Sequence, residues 1–210
     1  MTTRARTSAI LGQIRAMSEA SKSIFFGPYE VTDQVFHEAS LCYALVNIKP
    51  ILPGHVLVIP YRQVQRLTDL TEAEVTNIFT TVQKVQKMLS RKYFWVHGQA
   101  HACPEDGSFN IAIQDGKESG QTVPHVHCHV IPRPKNDTLG DEIYQKLQGE
   151  EGNVGGGFYD VNRPKQFGQF PPHVDANRIP RTKEEMQREA LIFKEEMASE
   201  EKKQNVEVPI

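Results

Sequence analysis

No stretch of the chain stays apolar for the about 20 residues that crossing a bilayer requires. Nor is there an excess of positive charge. The 24 Lys and Arg face 26 Asp and Glu, for a net charge of −2 and a pI near 6.5. That balance excludes a broadly basic surface of the kind nucleic acid requires, so neither nucleic acid nor membrane is an expected partner. Cysteine is scarce. Cys42, Cys103 and Cys128 make no even disulfide set, so a reducing compartment is expected, the cytoplasm or the nucleus. A phosphate loop is missing too: Gly155-Gly156-Gly157 has neither the Lys nor the Ser/Thr of that motif and precedes no clear helix. Acidic residues are absent before Glu19, while Arg4, Arg6 and Arg15 accompany an apolar face at Ile10, Leu11, Ile14 and Met17. Such a start fits either a loosely docked extension or a mitochondrial transit peptide.

What is present is a row of histidines. His125-Val126-His127-Cys128-His129-Val130 places three imidazoles at alternate positions. On a β-strand, with its period of two, all three project from one face, and Val126, Cys128 and Val130 point into a core. Packing gives no reason for such a row, because imidazole adds little to a core and demands hydrogen-bond partners. A zinc site is one reading. However, the first and third rings lie roughly 13 Å apart at the usual strand rise, too far for one ion. Two of the rings plus a distant ligand would be needed. Nucleophilic chemistry fits the pattern better. A neutral imidazole can attack phosphorus to form a phosphoramidate, with its neighbours donating hydrogen bonds to phosphoryl oxygens or protonating a leaving group.

The 210 residues, 39% hydrophobic and 24% charged, suffice for one domain with extensions. Residues 1–22 read as an N-terminal extension, 23–148 as the catalytic domain, 149–180 as a Gly/Pro-rich flexible insertion, and 181–210 as a C-terminal helix and tail. Ser23–Phe26, a Gly27-Pro28 turn, Val35–His37, Leu41–Val46, His55–Ile59 and Phe109–Ile113 read as antiparallel strands. Pro132 and Pro134 are expected to end the triad strand. Thr71 with Glu74 three residues on forms a capping box. The helix behind it carries Val75, Ile78, Phe79, Val82, Val85, Gln86 and Leu89 as a core stripe and fades near Arg91–Tyr93. Residues 94–107 read as a loop, in which His97, His101 and Cys103 match no standard zinc spacing. His37 is expected at the surface or a sheet edge. Asp141–Gln148 reads as a short acidic helix or turn. Thr182 opens a charged helix to about Lys203 whose charge run is a solvated face.

The His-φ-His-φ-His pattern resembles the motif of the histidine triad superfamily. Leu45–Pro50, Pro53–Pro60, Gln114-Asp115-Gly116 and Gly120–Val123 are similar to the fragile histidine triad branch, the dinucleoside polyphosphate hydrolases. The likeness covers about residues 24–147 and resumes at Arg181–Met186. It implies an α+β fold: a five-stranded antiparallel sheet with helices, two subunits joining edge to edge into a ten-stranded sheet. It implies His127 as nucleophile, His125 and His129 as flanking phosphate contacts that help the leaving group, and His55 as a fourth histidine near the α-phosphate. Gln114, Gln121 and Thr122 would hold phosphate and bridging oxygens, Asn47 a ribose, and Tyr144 would belong to a mobile loop. The substrate, a diadenosine triphosphate or tetraphosphate, would travel as a magnesium or manganese complex, with no protein metal cage. Cleavage would give AMP plus ADP or ATP through a nucleotidyl-histidine. Three alternatives stay open: a phosphoramidase or adenylyl-adduct hydrolase of the same superfamily, a nucleotide-dependent signalling module, and a metal-binding protein. The Gln114 and Gln121 pair and the tail containing Met186 favour the polyphosphate hydrolase over the phosphoramidase.

Overall fold

The structure, a computed structural model, describes residues 23–95, 102–148 and 180–204. The expectations for 1–22, for His97 and His101, and for 149–179 lie outside the described residues. Ten main elements follow in order: β1 (Phe25–Phe26), β2 (Tyr29–Glu30), β3 (Val35–Glu38), β4 (Cys42–Val46), β5 (Val56–Pro60), α1 (Glu72–Tyr93), β6 (Gly107–Ile113), β7 (Cys128–Pro134), α2 (Glu142–Gln148) and α3 (Lys183–Gln204). β3 to β7 form one five-stranded antiparallel sheet in the order β3-β4-β5-β7-β6, and β1 and β2 form a separate hairpin. The fold is α+β, as the resemblance implies.

Strand alternation divides the core in two. Cys42, Ala44 and Val46 of β4, Val56 and Val58 of β5, and Cys128 and Val130 of β7 face α1 and α3. Tyr43, Leu45, Leu57 and Ile59 face the other way and pack with Ile24, Phe26, Val31 and Val123 around the β1–β2 hairpin. One face is thus roofed by α1 and α3, the other by the hairpin and, around Ile131, by Ile143 and Leu147 of α2.

α1 begins at the capping box foreseen in the sequence: Thr71 Oγ1 accepts from Glu74 N, and Glu74 Oε2 accepts from Thr71 N at 2.8 Å. Its buried stripe is centred on Ile78, Val82, Val85 and Leu89 but turned towards Thr81 and Met88. Phe79, expected in the core, lies about 100° from Ile78 around the helix axis, on the opposite flank, and is 42% exposed. α3 turns its charged residues to solvent, as expected, and carries in addition a buried face not foreseen in the sequence. Thr182 and Glu185 cap it reciprocally. Met186, Ala190, Phe193 and Met197, at helical spacing, are buried against the sheet.

β6 starts at Gly107, two residues before the expected Phe109. The largest correction concerns the triad. β7 begins only at Cys128, so His129 alone of the three histidines lies in the sheet, and His125 and His127 precede it. The cause is Pro60. The β5–β7 register pairs Val58 with Cys128, so two residues on it would set Pro60, which has no N–H, against Val126. Val126 N–H goes to Val64 O instead, at 2.7 Å. Nor does Pro132 stop the strand. It lies inside β7 opposite Phe109, beyond the reach of β5, which pairs no further than Val130.

Candidate active site

His129 lies opposite Leu57 and so shares the hairpin-covered face. His125, His127 and His129 are buried to 1%, 2% and 0% exposure, and His55, just before β5, to 0%. The rings touch in sequence. His127 and His129 centroids are 5.0 Å apart, and His129 and His55 are 5.1 Å apart. Phe26 of the hairpin meets His127 edge-on at 5.1 Å and His125 at 5.6 Å.

Hydrogen bonds fix the proton on each ring, because a carbonyl oxygen only accepts and a backbone N–H only donates. His127 Nδ1 lies 2.8 Å from His125 O, so Nδ1 carries the proton and Nε2 the lone pair. Ile51 N–H donates to His55 Nδ1 at 3.1 Å, so His55 carries its proton on Nε2. That proton is directed at His129 Nδ1, 2.9 Å away. His129 must then carry its own proton on Nε2, an atom that is buried and, among the described residues, without a hydrogen-bond partner. In the same row as the His127 lone pair stands an unspent donor. His125 differs from the other two: its Nδ1 accepts from Gly27 N–H at 3.1 Å and its Nε2 donates to Pro60 O at 2.9 Å. A contact from His125 to phosphate, as the resemblance implies, would require one of these bonds to open.

Burial lowers the pKa of all three triad histidines, that of His127 to about 4 and that of His129 well below the ordinary range. They are neutral imidazoles near pH 7, which nucleophilic attack requires. Cys128, on the opposite side of β7, has its thiol pushed up to about 12 by burial, which suits a small core residue rather than a reactive one.

The glutamines flank this row. Continuing the β6–β7 register past the Ile113–Cys128 pair sets Gln114 beside His127. Gln114 and Gln121 are each 7% exposed. Gln114 Nε2 donates to Leu147 O at 2.5 Å, and Gln121 Nε2 to Gln65 O at 2.8 Å. Each amide nitrogen has a second hydrogen, which these bonds do not use. Between the two, Gly116 adopts φ +115°, and a Cβ there would lie 1.6 Å from Arg66 Nη1, so the turn demands glycine. Asn47 is fully buried, with Oδ1 accepting from Lys49 N at 2.8 Å and Nδ2 3.4 Å from His55 Nε2. Thr122 is half-buried. Tyr144 is 56% exposed on α2, the helix whose Leu147 carbonyl receives Gln114, and is not drawn against the triad. His37 sits on the edge strand β3, as expected. Among the described residues no group of three or more His, Cys, Asp or Glu is arranged to hold a metal ion.

Sequence reasoning did not find Phe26, Gly27 or the backbone carbonyls of Pro60, Val64 and Gln65, which cradle the triad. Backbone groups carry no side-chain signal, and a lone aromatic before a Gly-Pro turn reads only as a strand end.

A family model described as the HIT domain matches residues 29–136. The asymmetrical bis(5'-nucleosyl)-tetraphosphatase of Schizosaccharomyces pombe is 47% identical over 134 residues, 63% of this chain and 68% of its own length. The bis(5'-adenosyl)-triphosphatase of Saccharomyces cerevisiae is 45% identical over 134 residues, again 63% of this chain but 60% of its own length. Among solved structures, the Plasmodium falciparum diadenosine triphosphate hydrolase in complex with Cyclomarin A is similar with a TM-score of 0.57 at 27% identity, covering 86% of this chain and 88% of that one.

Proposed function

The chain belongs to the HIT domain family, and from this premise we propose that it hydrolyses dinucleoside polyphosphates through a nucleotidyl-histidine. The observation that carries the reading is the pairing of His127, its lone pair on Nε2, with the unpartnered Nε2–H of His129 in one buried row. In the first step His127 Nε2 attacks the α-phosphorus. An N–P bond forms, the bridging P–O bond breaks, and a nucleotide leaves. His129 Nε2–H donates to the phosphoryl or bridging oxygen, where negative charge grows. Positive charge grows on the His127 ring, and its Nδ1–H stays hydrogen-bonded to His125 O. Water then attacks phosphorus, the N–P bond breaks, Nε2 regains its lone pair, and a nucleoside monophosphate leaves with a proton. The second amide hydrogens of Gln114 and Gln121 serve the phosphate oxygens without competing for the histidine protons. Asn47 serves the ribose, Thr122 a phosphate oxygen, and Tyr144 the mobile loop. The substrate is the magnesium or manganese complex of the polyphosphate, which lowers its charge.

The decisive experiment is chromatography of products from diadenosine triphosphate and, separately, tetraphosphate, with magnesium. AMP with ADP or ATP, seen in the wild type and absent in His127→Asn, is the expected result. Turnover of neither, with cleavage of an adenosine phosphoramidate or adenylyl adduct, moves the chain to that other activity of the same superfamily.

The same reading includes a homodimer formed edge to edge. β3 is short, carries an irregularity between Val35 and His37, and has α3 packed beside it through Phe36 and Phe193. Such edges resist pairing. β6 is seven residues long and pairs with β7 in unbroken register, with Ile111 42% exposed. It is the edge that suits a second copy. Light scattering at micromolar concentration tests this, and a strict monomer refutes it. The compartment that goes with the reading is the cytoplasm or nucleus, which imaging of the tagged chain would check.

A further inference from the structure

Arg181 lies 134 residues from Asn47 along the chain yet donates from Nη2 to the Asn47 carbonyl. Its backbone N–H donates to Ile48 O at 3.0 Å. The guanidinium is itself held, since Nη1 donates to Glu189 Oε2 at 2.6 Å, and both side chains are only 19% exposed. The other oxygen of that carboxylate, Glu189 Oε1, receives the Tyr93 hydroxyl at 3.4 Å. Tyr93 reaches the same loop from the other side. Gly54, next to His55, has φ +81°, and a Cβ there would lie 2.5 Å from the Tyr93 ring. The end of α1 and the start of α3 therefore grip the 47–55 segment between β4 and β5 from two directions. A surface ion pair has no need of such depth. Arg181 also keeps its Nε buried and, among the described residues, without a hydrogen-bond partner, a cost that simple packing of α3 would not require.

The gripped segment leads to the triad. Asn47 N–H donates to His55 O at 3.4 Å, its side-chain amide packs against the His55 ring, and His55 Nε2–H donates to His129 Nδ1 at 2.9 Å. We infer that Arg181 is a positioning residue for the hydrolytic site, fixing Asn47 through its carbonyl and, through Asn47, the His55 ring that sets the tautomer of His129. The inference rests on the proposed hydrolytic reading for its kinetic consequence, and on the hydrogen-bond geometry alone for its structural one. The guanidinium touches no reacting atom. Its work is to keep two hydrogen-bonded rings in register, where a displacement of about 1 Å is enough to cost on the order of 100-fold in rate.

The test uses the full chain and five variants: Arg181→Met, Arg181→Lys, Glu189→Gln, Asn47→Ala, and Arg181→Met combined with Asn47→Ala. Diadenosine triphosphate hydrolysis, thermal unfolding and the imidazole 15N resonances are followed in each. Arg181→Met should lower kcat/KM by about 10- to 100-fold, with Arg181→Lys recovering part of the loss and Glu189→Gln losing less. In the Asn47→Ala background the same Arg181 change should cost less than about twofold more, since residues acting through one another are not additive. The His55 and His129 resonances should shift in Arg181→Met and move back towards wild type in Arg181→Lys. Costs that simply multiply, or a loss that follows the unfolding temperature in every variant, overturn the inference. Unchanged His55 and His129 resonances overturn it as well. Wild type that hydrolyses no dinucleoside polyphosphate defeats the functional reading instead, and the resonances still decide the role of Arg181.

Discussion

The two faces of the sheet are buried almost equally and behave as opposites. Under α1 and α3, Cys128 and Val130 are 1% and 0% exposed; across the same strand His129 is 0% exposed and His127, just before it, 2%. On the helix side, burial removes apolar surface from water and stabilises. On the hairpin side it encloses polar rings, which is unfavourable unless each nitrogen finds a partner. The hairpin, Pro60 and the His125 carbonyl supply nearly all of those partners. Among the described residues one buried ring nitrogen of this row is left over, His129 Nε2. Depth of burial therefore does not mark the site; the one unmet donor beside a lone pair does.

The contrast is broken most severely at His127. His127→Asn should lower kcat/KM by at least about 10⁴-fold, since removal of a covalent nucleophile leaves only binding and charge stabilisation. The amide retains a donor for His125 O, so the unfolding temperature should hardly move. Activity within tenfold of wild type would move the nucleophile elsewhere. On the other face, Phe193→Ala should do the reverse. Phe193 is fully buried against Phe36 and Tyr93, and its truncation should cost about 3–5 kcal/mol in denaturant unfolding. In the folded fraction kcat should stay within a few-fold. A large loss of kcat with unchanged stability would mean the helix face reaches the chemistry directly.

The faces should also separate by pH. Burial lowers the pKa of His125, His127 and His129 in the folded chain, to about 4 for His127, while the unfolded chain titrates near 6.5. The unfolded state thus takes up protons first. Stability is fully present above about pH 6.5 and falls as pH drops below it, by about 1.4 kcal/mol per pH unit for each histidine that stays neutral in the fold, down to about pH 4 for His127. His127→Asn should remove one such contribution from the slope, and Phe193→Ala none. Urea unfolding at a series of pH values measures this. An unchanged slope in His127→Asn would show that His127 is already protonated in the fold.

The helix face and the hairpin face were not equally legible in sequence. Apolar alternation in β4 and β5 and the Thr71–Glu74 box are local patterns, so they read directly. Three histidines at alternate positions announced a chemical site for the same reason. The strand start at Cys128 was hidden because it depends on a missing N–H at Pro60, far away in the chain. The tautomers were hidden because carbonyls and backbone N–H groups set them. The charge run of α3 is the solvated face expected, but its many charges mask the four buried positions Met186, Ala190, Phe193 and Met197. Phe79 was misplaced because helical period gives a stripe but not which flank the sheet covers.

The gentlest test asks whether the helix face can be loosened without the other noticing. Thr71 Oγ1 caps α1 by accepting from Glu74 N. Thr71→Ala removes that acceptor and should cost about 1 kcal/mol. Glu74 still holds Arg62 through Nε at 2.8 Å and Nη2 at 2.6 Å. Arg62 follows Pro60 and precedes Val64 and Gln65, whose carbonyls receive His125, Val126 and Gln121. With that ion pair intact the cradle should keep its shape, and kcat/KM should remain within about twofold of wild type, because only helix-capping energy has been removed. Glu74→Gln, which weakens the cap and the ion pair together, should lower kcat/KM further than Thr71→Ala at equal loss of stability. Equal kinetics in the two variants would mean that Arg62 braces the helix alone.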